Sequence, residues 1–207
     1  MPIPAEEALH RLKLGNNRFR RNASENNQAG EGHTRFLDLS AGQQPFAAVL
    51  ACSDSRVPVE MVFNQGPGHL FVVRVAGNLV GPTQLGSLEF AVETLGVRLI
   101  LVLGHTGCGA VASAFARKGD PESGMATLNI LAVTRRIMMT LDRWGQSEPA
   151  SDEPPPEEVE RHHAGAVVKE ILQRSELLAS AVRSGKLLIA GSIYDLKTGQ
   201  VDFFREA

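Results

Sequence analysis

The sequence is poor in cysteine, with two in 207 residues, and it holds a single tryptophan. It has no apolar run approaching the roughly 20 residues of a membrane-spanning helix. Residues 1–20 also lack the apolar stretch of a secretory signal peptide. Neither sign of charge is in excess: 21 basic against 23 acidic side chains give a formal net charge of −2. That balance points to no nucleic-acid partner and no anionic membrane. No internal repeat is present. Two cysteines leave three roles open: buried core thiols, a disulfide or redox pair, or metal ligands. Cys52 and Cys108 stand 56 residues apart, which argues against a Cys-x-x-Cys redox pair. Cysteines needed as thiolates fit a reducing compartment, so the expected location is the cytoplasm.

What is present is ordinary for a globular chain. Hydrophobic residues make up 43% and charged ones 21%, which excludes general disorder. The length suits one domain with a substantial core. We expect a single domain over 1–207, with residues 1–32 forming an N-terminal helix and a polar arm. Residues 4–21 carry Ala8, Leu12 and Phe19 on one side and arginines in the last turn, which predicts an amphipathic helix. Apolar runs at 46–50, 70–75, 98–103 and 187–193 predict buried strands. Helical spacing separates them at 58–63, 84–95 (opened by Pro82), 127–144 and 158–184. Lys197-Thr198-Gly199 predicts a turn into an added strand at 200–204. The alternation predicts an α/β fold: a mainly parallel sheet with helices on both faces and a C-terminal antiparallel edge strand. Residues 146–157, acidic and rich in proline, read as a solvated loop.

Two short segments carry the chemistry, each directly after a predicted strand, where α/β proteins place their sites. The first is Ala51-Cys52-Ser53-Asp54-Ser55-Arg56. The second is Gly104-His105-Thr106-Gly107-Cys108-Gly109. Cys52, His105 and Cys108 offer two thiolates and one imidazole with a fourth position free, the composition of a catalytic zinc site. Zinc suits tetrahedral sulfur and nitrogen ligands and brings no redox chemistry. Two thiolates cancel the dication's formal charge, so neighbouring groups must help lower the pKa of a coordinated water from ~15.7 toward ~7. Asp54 and Arg56 are the candidates: the arginine holds the carboxylate off the metal and aims it at that water. Gly109, at a helix N-terminus, offers its backbone N–H to an anion.

Cys-Ser-Asp-Ser-Arg followed about fifty residues later by Gly-His-x-x-Cys-Gly resembles the β-class carbonic anhydrases. The similarity continues through residues 71–78 and 86–91 and returns at 191–195 and Thr198-Gly199. The resemblance implies zinc-dependent reversible hydration of carbon dioxide to bicarbonate and a proton, with one zinc per chain. It implies that Asp54, released by Arg56, can take the fourth zinc position and close the site. It assigns Gln43, as in the plant-like branch, to bicarbonate, and Phe71, Ala76 and Phe90 to the apolar pocket for carbon dioxide. It places the N-terminal helix and the glutamine loop at a subunit interface, hence a homo-oligomer, either a homodimer or a homotetramer. Some members bind bicarbonate at a second, inhibitory site through a tryptophan, an arginine and a tyrosine. Here Arg74 and Tyr194 match, but Val49 stands at the tryptophan position and the lone Trp144 lies far off in sequence, so that control is not expected. Two rival functions remain: hydrolysis of carbon disulfide or carbonyl sulfide on the same scaffold, and a non-catalytic zinc scaffold closed by Asp54. His162 and His163 read as solvated surface histidines.

Overall fold

The computed structural model describes residues 2–24, 40, 42–117, 127–141 and 154–204. Five strands form one sheet: β1 (Ala47–Ala51), β2 (Leu70–Arg74), β3 (Leu99–His105), β4 (Leu188–Tyr194) and β5 (Val201–Phe204). Their order is β2-β1-β3-β4-β5. The first four pair in parallel and β5 adds antiparallel to β4. Every residue of β1 and β3 is buried, which is why both read as unbroken apolar runs rather than alternating ones. The chain leaves β1 toward β2 and then crosses to β3 on the other side. The crevice past the carboxyl ends of β1 and β3 is therefore a switch point of the sheet.

The helices are α1 (Ala5–Ser24), α2 (Val59–Val62), α3 (Pro82–Glu93), α4 (Gly109–Phe115), α5 (Leu128–Leu141), α6 (Pro156–Arg174) and α7 (Glu176–Arg183). The pleat splits the sheet's side chains between two cores. Ala47, Val49, Ala51, Leu99, Leu101 and Leu103 face α1 and α2. Ala48, Leu50, Ile100 and Val102 face α3, α6 and α7. A third apolar cluster joins Cys52 and Cys108 to Val111, Ile137 and Val159, where α4, α5 and α6 meet past the sheet edge.

The N-terminal stripe finds cover within its own chain: Ala8, Leu9 and Leu12 are buried among Val62, Phe63 and one face of the sheet. Burying a leucine stabilises by about 2 kcal/mol, and Asn16 adds direction. Its amide donates to the carbonyls of Val62 (3.1 Å) and Gly199 (2.9 Å), and its oxygen accepts from the Val201 N–H (3.0 Å). The helix expected over 158–184 is two helices. Ser175 leaves helical geometry (φ −124°, ψ 104°), and its hydroxyl caps α7 by accepting from the Leu178 N–H. Finally, β3 runs two residues further than expected, so His105 belongs to the strand. Trp144, the proline loop up to residue 153 and the polar arm from residue 25 to 32 lie outside the described residues.

Candidate metal centre

Cys52 follows β1 directly, His105 ends β3, and Cys108 caps the start of α4. Parallel pairing of β1 with β3 sets these ends side by side. Their ligand atoms lie within 4.8 Å of one another and all three residues are buried. Both cysteines are free, with Sγ atoms 4.0 Å apart. Two zinc–sulfur bonds of about 2.3 Å at a tetrahedral angle span roughly 3.8 Å, so the spacing suits one ion between them.

The imidazole is set for the same task. His105 Nδ1 lies 3.0 Å from the Thr106 carbonyl. A carbonyl only accepts, so Nδ1 carries the hydrogen and Nε2 presents its lone pair. That Nε2 is buried and has no hydrogen-bond partner among the described residues. A buried unpartnered ring nitrogen facing two thiols is costly without a cation. The two sulfurs are close enough to share one proton, so one thiol loses its proton more readily and the other holds it more tightly. The donor set fits zinc.

Asp54 is not part of that three-ligand cluster. Its carboxylate is gripped by Arg56, Nε to Oδ1 at 2.9 Å and Nη2 to Oδ2 at 2.7 Å, and this hold keeps its pKa well below the usual carboxylate range. Oδ2 still lies 3.8 Å from His105 Nε2, at the edge of the ligand set. Arg56 Nη2 also donates to the Gly107 carbonyl at 3.0 Å, which ties the first metal loop to the second. Gly107 has φ +67°, a conformation that favours glycine. Arg74 stiffens the first loop by donating to the carbonyls of Cys52 (3.0 Å) and Asp54 (2.6 Å).

The structure divides the remaining expected residues. Ala76 sits in the tight turn 76–78 beside Cys52, and Gly109 begins α4. Gln43, Phe71 and Phe90 do not reach this chain's own ligands. Gln43 precedes β1 and is exposed, at the end of the strand opposite Cys52, and β1 alone spans roughly 16 Å. Phe71 pairs with Ala48 in the amino-terminal half of the sheet. Phe90 packs beside it, ring centroids 6.3 Å apart, and remains 46% exposed.

Two residues of α6 also bear on the site. Glu160 is 4% exposed, and its Oε1 accepts from the Cys108 N–H at 2.8 Å; burial pushes its pKa up. His163, expected at the surface, is 1% exposed. The correction was available in its spacing. His163 lies four residues from Val159 and four from Val167, both buried, and so falls on the helix's inward face.

Residues 47–201 match the carbonic anhydrase family. A carbonic anhydrase of Mycolicibacterium smegmatis is 36% identical over 203 residues, 97% of this chain and 92% of that protein. Carbonic anhydrase 2 of Mycobacterium tuberculosis is 35% identical over 200 residues, 96% and 91% of the two chains. Among solved structures, one of two tetrameric β-carbonic anhydrases from Sordaria macrospora superposes with a TM-score of 0.69 at 25% identity, covering 90% of this chain and 96% of that one. An α/β zinc enzyme with its metal at the sheet's switch point is the class so defined. The chain belongs to the β-class carbonic anhydrases.

Proposed function

We propose that this chain catalyses the reversible hydration of carbon dioxide to bicarbonate and a proton, with Cys52, His105 and Cys108 as the zinc ligands and Asp54 and Arg56 as the catalytic dyad. The observation that carries this reading is the two-pronged hold of Arg56 on Asp54 beside an intact ligand set. Held by Cys52, His105 and Cys108, zinc would supply a Lewis-acid charge that lowers the pKa of a coordinated water toward ~7. The chain's residues do the rest. Asp54, ionised and held away from the ligands, accepts a hydrogen bond from the attacking water and orients it. Arg56 fixes the carboxylate and, through Gly107, the distance between the loops. Thr106, with its carbonyl on Nδ1, keeps His105 in the tautomer that leaves Nε2 for the metal. Ala76 supplies apolar surface next to Cys52, and Gly109 an N–H for an anionic product. A site closed permanently by Asp54 has no use for this hold.

Gln43, Phe71 and Phe90 belong, in this reading, to the substrate pocket of a second copy. Gln43 and Phe90 are exposed and far from their own chain's ligands, as residues lent to a partner across an interface must be. The unit is a homo-oligomer, a dimer or a dimer of dimers, and its location is the cytoplasm, where cysteine ligands stay reduced. Among the described residues no helix is long and apolar enough to cross a membrane. Carbon dioxide hydration and carbonyl sulfide hydrolysis, assayed side by side on one preparation, test the substrate. Hydration dominating supports the reading, and hydrolysis dominating moves it to the sulfur gases. Sedimentation at assay concentration tests the assembly, since a fully active monomer contradicts it.

A further inference from the structure

His163 is a buried polar side chain with two hydrogen-bond partners and no part in the chemistry above. Its Nε2 lies 2.6 Å from the Gly77 carbonyl and its Nδ1 2.6 Å from the Thr140 hydroxyl. The carbonyl can only accept, so Nε2 carries the hydrogen and Nδ1 accepts from Thr140. Burial keeps the ring neutral, its pKa pushed down to about 4. On its other side, Gly77 donates its N–H to Cys52 Sγ at 3.3 Å. Gly77 has φ +68°, a conformation that favours glycine, and a Cβ there would press on Ile137 Cδ1 at 2.6 Å. Three residues earlier on α6, Glu160 holds the backbone N–H of Cys108. Positions i and i+3 share a helix face, so one face of α6 reaches the loops of both sulfur ligands.

We propose that His163 is a positioning residue for the metal centre: by holding the Gly77 carbonyl it keeps the Gly77 N–H on the Cys52 sulfur and so sets how much charge that thiolate gives to the metal. This rests on the zinc-enzyme reading above. Two thiolates make the metal a weak Lewis acid, and a hydrogen bond to one of them withdraws part of the donated charge. Outer partners of this kind govern metal affinity by about 10- to 100-fold. The effect passes through one residue of backbone, without contact between the imidazole and the metal.

The test compares His163→Leu, His163→Gln and Thr140→Val with wild type. The cobalt-substituted proteins are read by their sulfur-to-cobalt charge-transfer absorption, and the zinc proteins by chelator competition. Losing the N–H···S hydrogen bond raises the sulfur lone pair in energy. His163→Leu is therefore expected to move the band to lower energy and, because the turn beside Cys52 is no longer held in place, to weaken zinc binding about 10- to 100-fold. His163→Gln, whose amide can still donate to Gly77, is expected to stay near wild type. Thr140→Val, which unseats Nδ1, is expected to shift the band less and in the same direction. Band and affinity unchanged in His163→Leu, or displaced equally in His163→Gln, overturn the proposal and leave His163 a packing residue. If His163→Leu does not fold, Thr140→Val decides, and an unshifted band there overturns the proposal. A wild-type protein without a thiolate band refutes the ligand assignment itself, and this inference with it.

Discussion

Arg56 Nη2 lies 2.7 Å from Asp54 Oδ2, and that same oxygen is 3.8 Å from His105 Nε2. The carboxylate is thus held between its cation and the metal ligands. The arginine side chain is 54% exposed, and pairs this open to solvent add little to stability. The pair's worth is in placement.

Arg56→Ala is accordingly expected to leave the melting temperature and the zinc content near wild type while cutting hydration at neutral pH by about 100-fold or more. Released, the carboxylate has only a short swing to the fourth coordination position, which leaves none for water. Stopped-flow rates beside metal analysis check this. A fully active, zinc-loaded Arg56→Ala protein would demote Asp54 to an ordinary loop carboxylate.

Asp54→Asn removes charge but not size. It is expected to keep zinc and lose about 10²- to 10⁴-fold in rate, because the amide cannot take up a proton or orient water as an anion does. The measurement is kcat at several buffer concentrations; a rate within a factor of a few of wild type contradicts the role.

Cys52→Ser and Cys108→Ser are each expected to purify with little zinc, since a neutral hydroxyl replaces a thiolate ligand. The two should behave alike, because neither sulfur has a substitute donor within the three-ligand cluster. Full occupancy in either one, by atomic absorption, counts against the assignment.

Stability carries a pH signature from His163. Its native pKa is pushed down to about 4 by burial, against about 6.5 in the unfolded chain. Between those values the unfolded state binds a proton that the native state does not, so stability rises with pH across that window and is lost as pH falls through it. The full effect is roughly 3 kcal/mol, from 1.36 kcal/mol per unit. Urea unfolding at pH 7 and pH 4.5 should show a slope for wild type that flattens in His163→Gln; equal slopes contradict the burial of a neutral ring.

The sheet, its order of appearance along the chain and the cluster of Cys52, His105 and Cys108 were legible because each rests on local pattern. Buried parallel strands read as apolar runs, and the ligands are rare residue types placed just past them. What was not legible depends on packing between distant segments. The stripe of α1 showed that Leu12 needs a cover but not that Phe63 and Val62 provide it. Asp54 and Arg56 stand two residues apart and were readable as a pair, whereas the bridge from Arg56 to Gly107 crosses 51 positions. The histidine pair at 162–163 stands in an acidic, proline-rich neighbourhood, which points to solvent. The Val159–His163–Val167 spacing placed His163 inward, yet no local pattern names Gly77, 86 positions away, as its partner.

In the proposed reaction, one zinc held by Cys52, His105 and Cys108 gives this chain its carbonic anhydrase activity. Stopped-flow hydration of carbon dioxide, on wild-type protein whose zinc content is measured in the same sample, tests it most directly. The expected result is about one zinc per chain, a rate proportional to zinc occupancy, and loss of activity on chelation that added zinc restores. Fully zinc-loaded protein that does not accelerate hydration, or equal acceleration after the metal is gone, would contradict it.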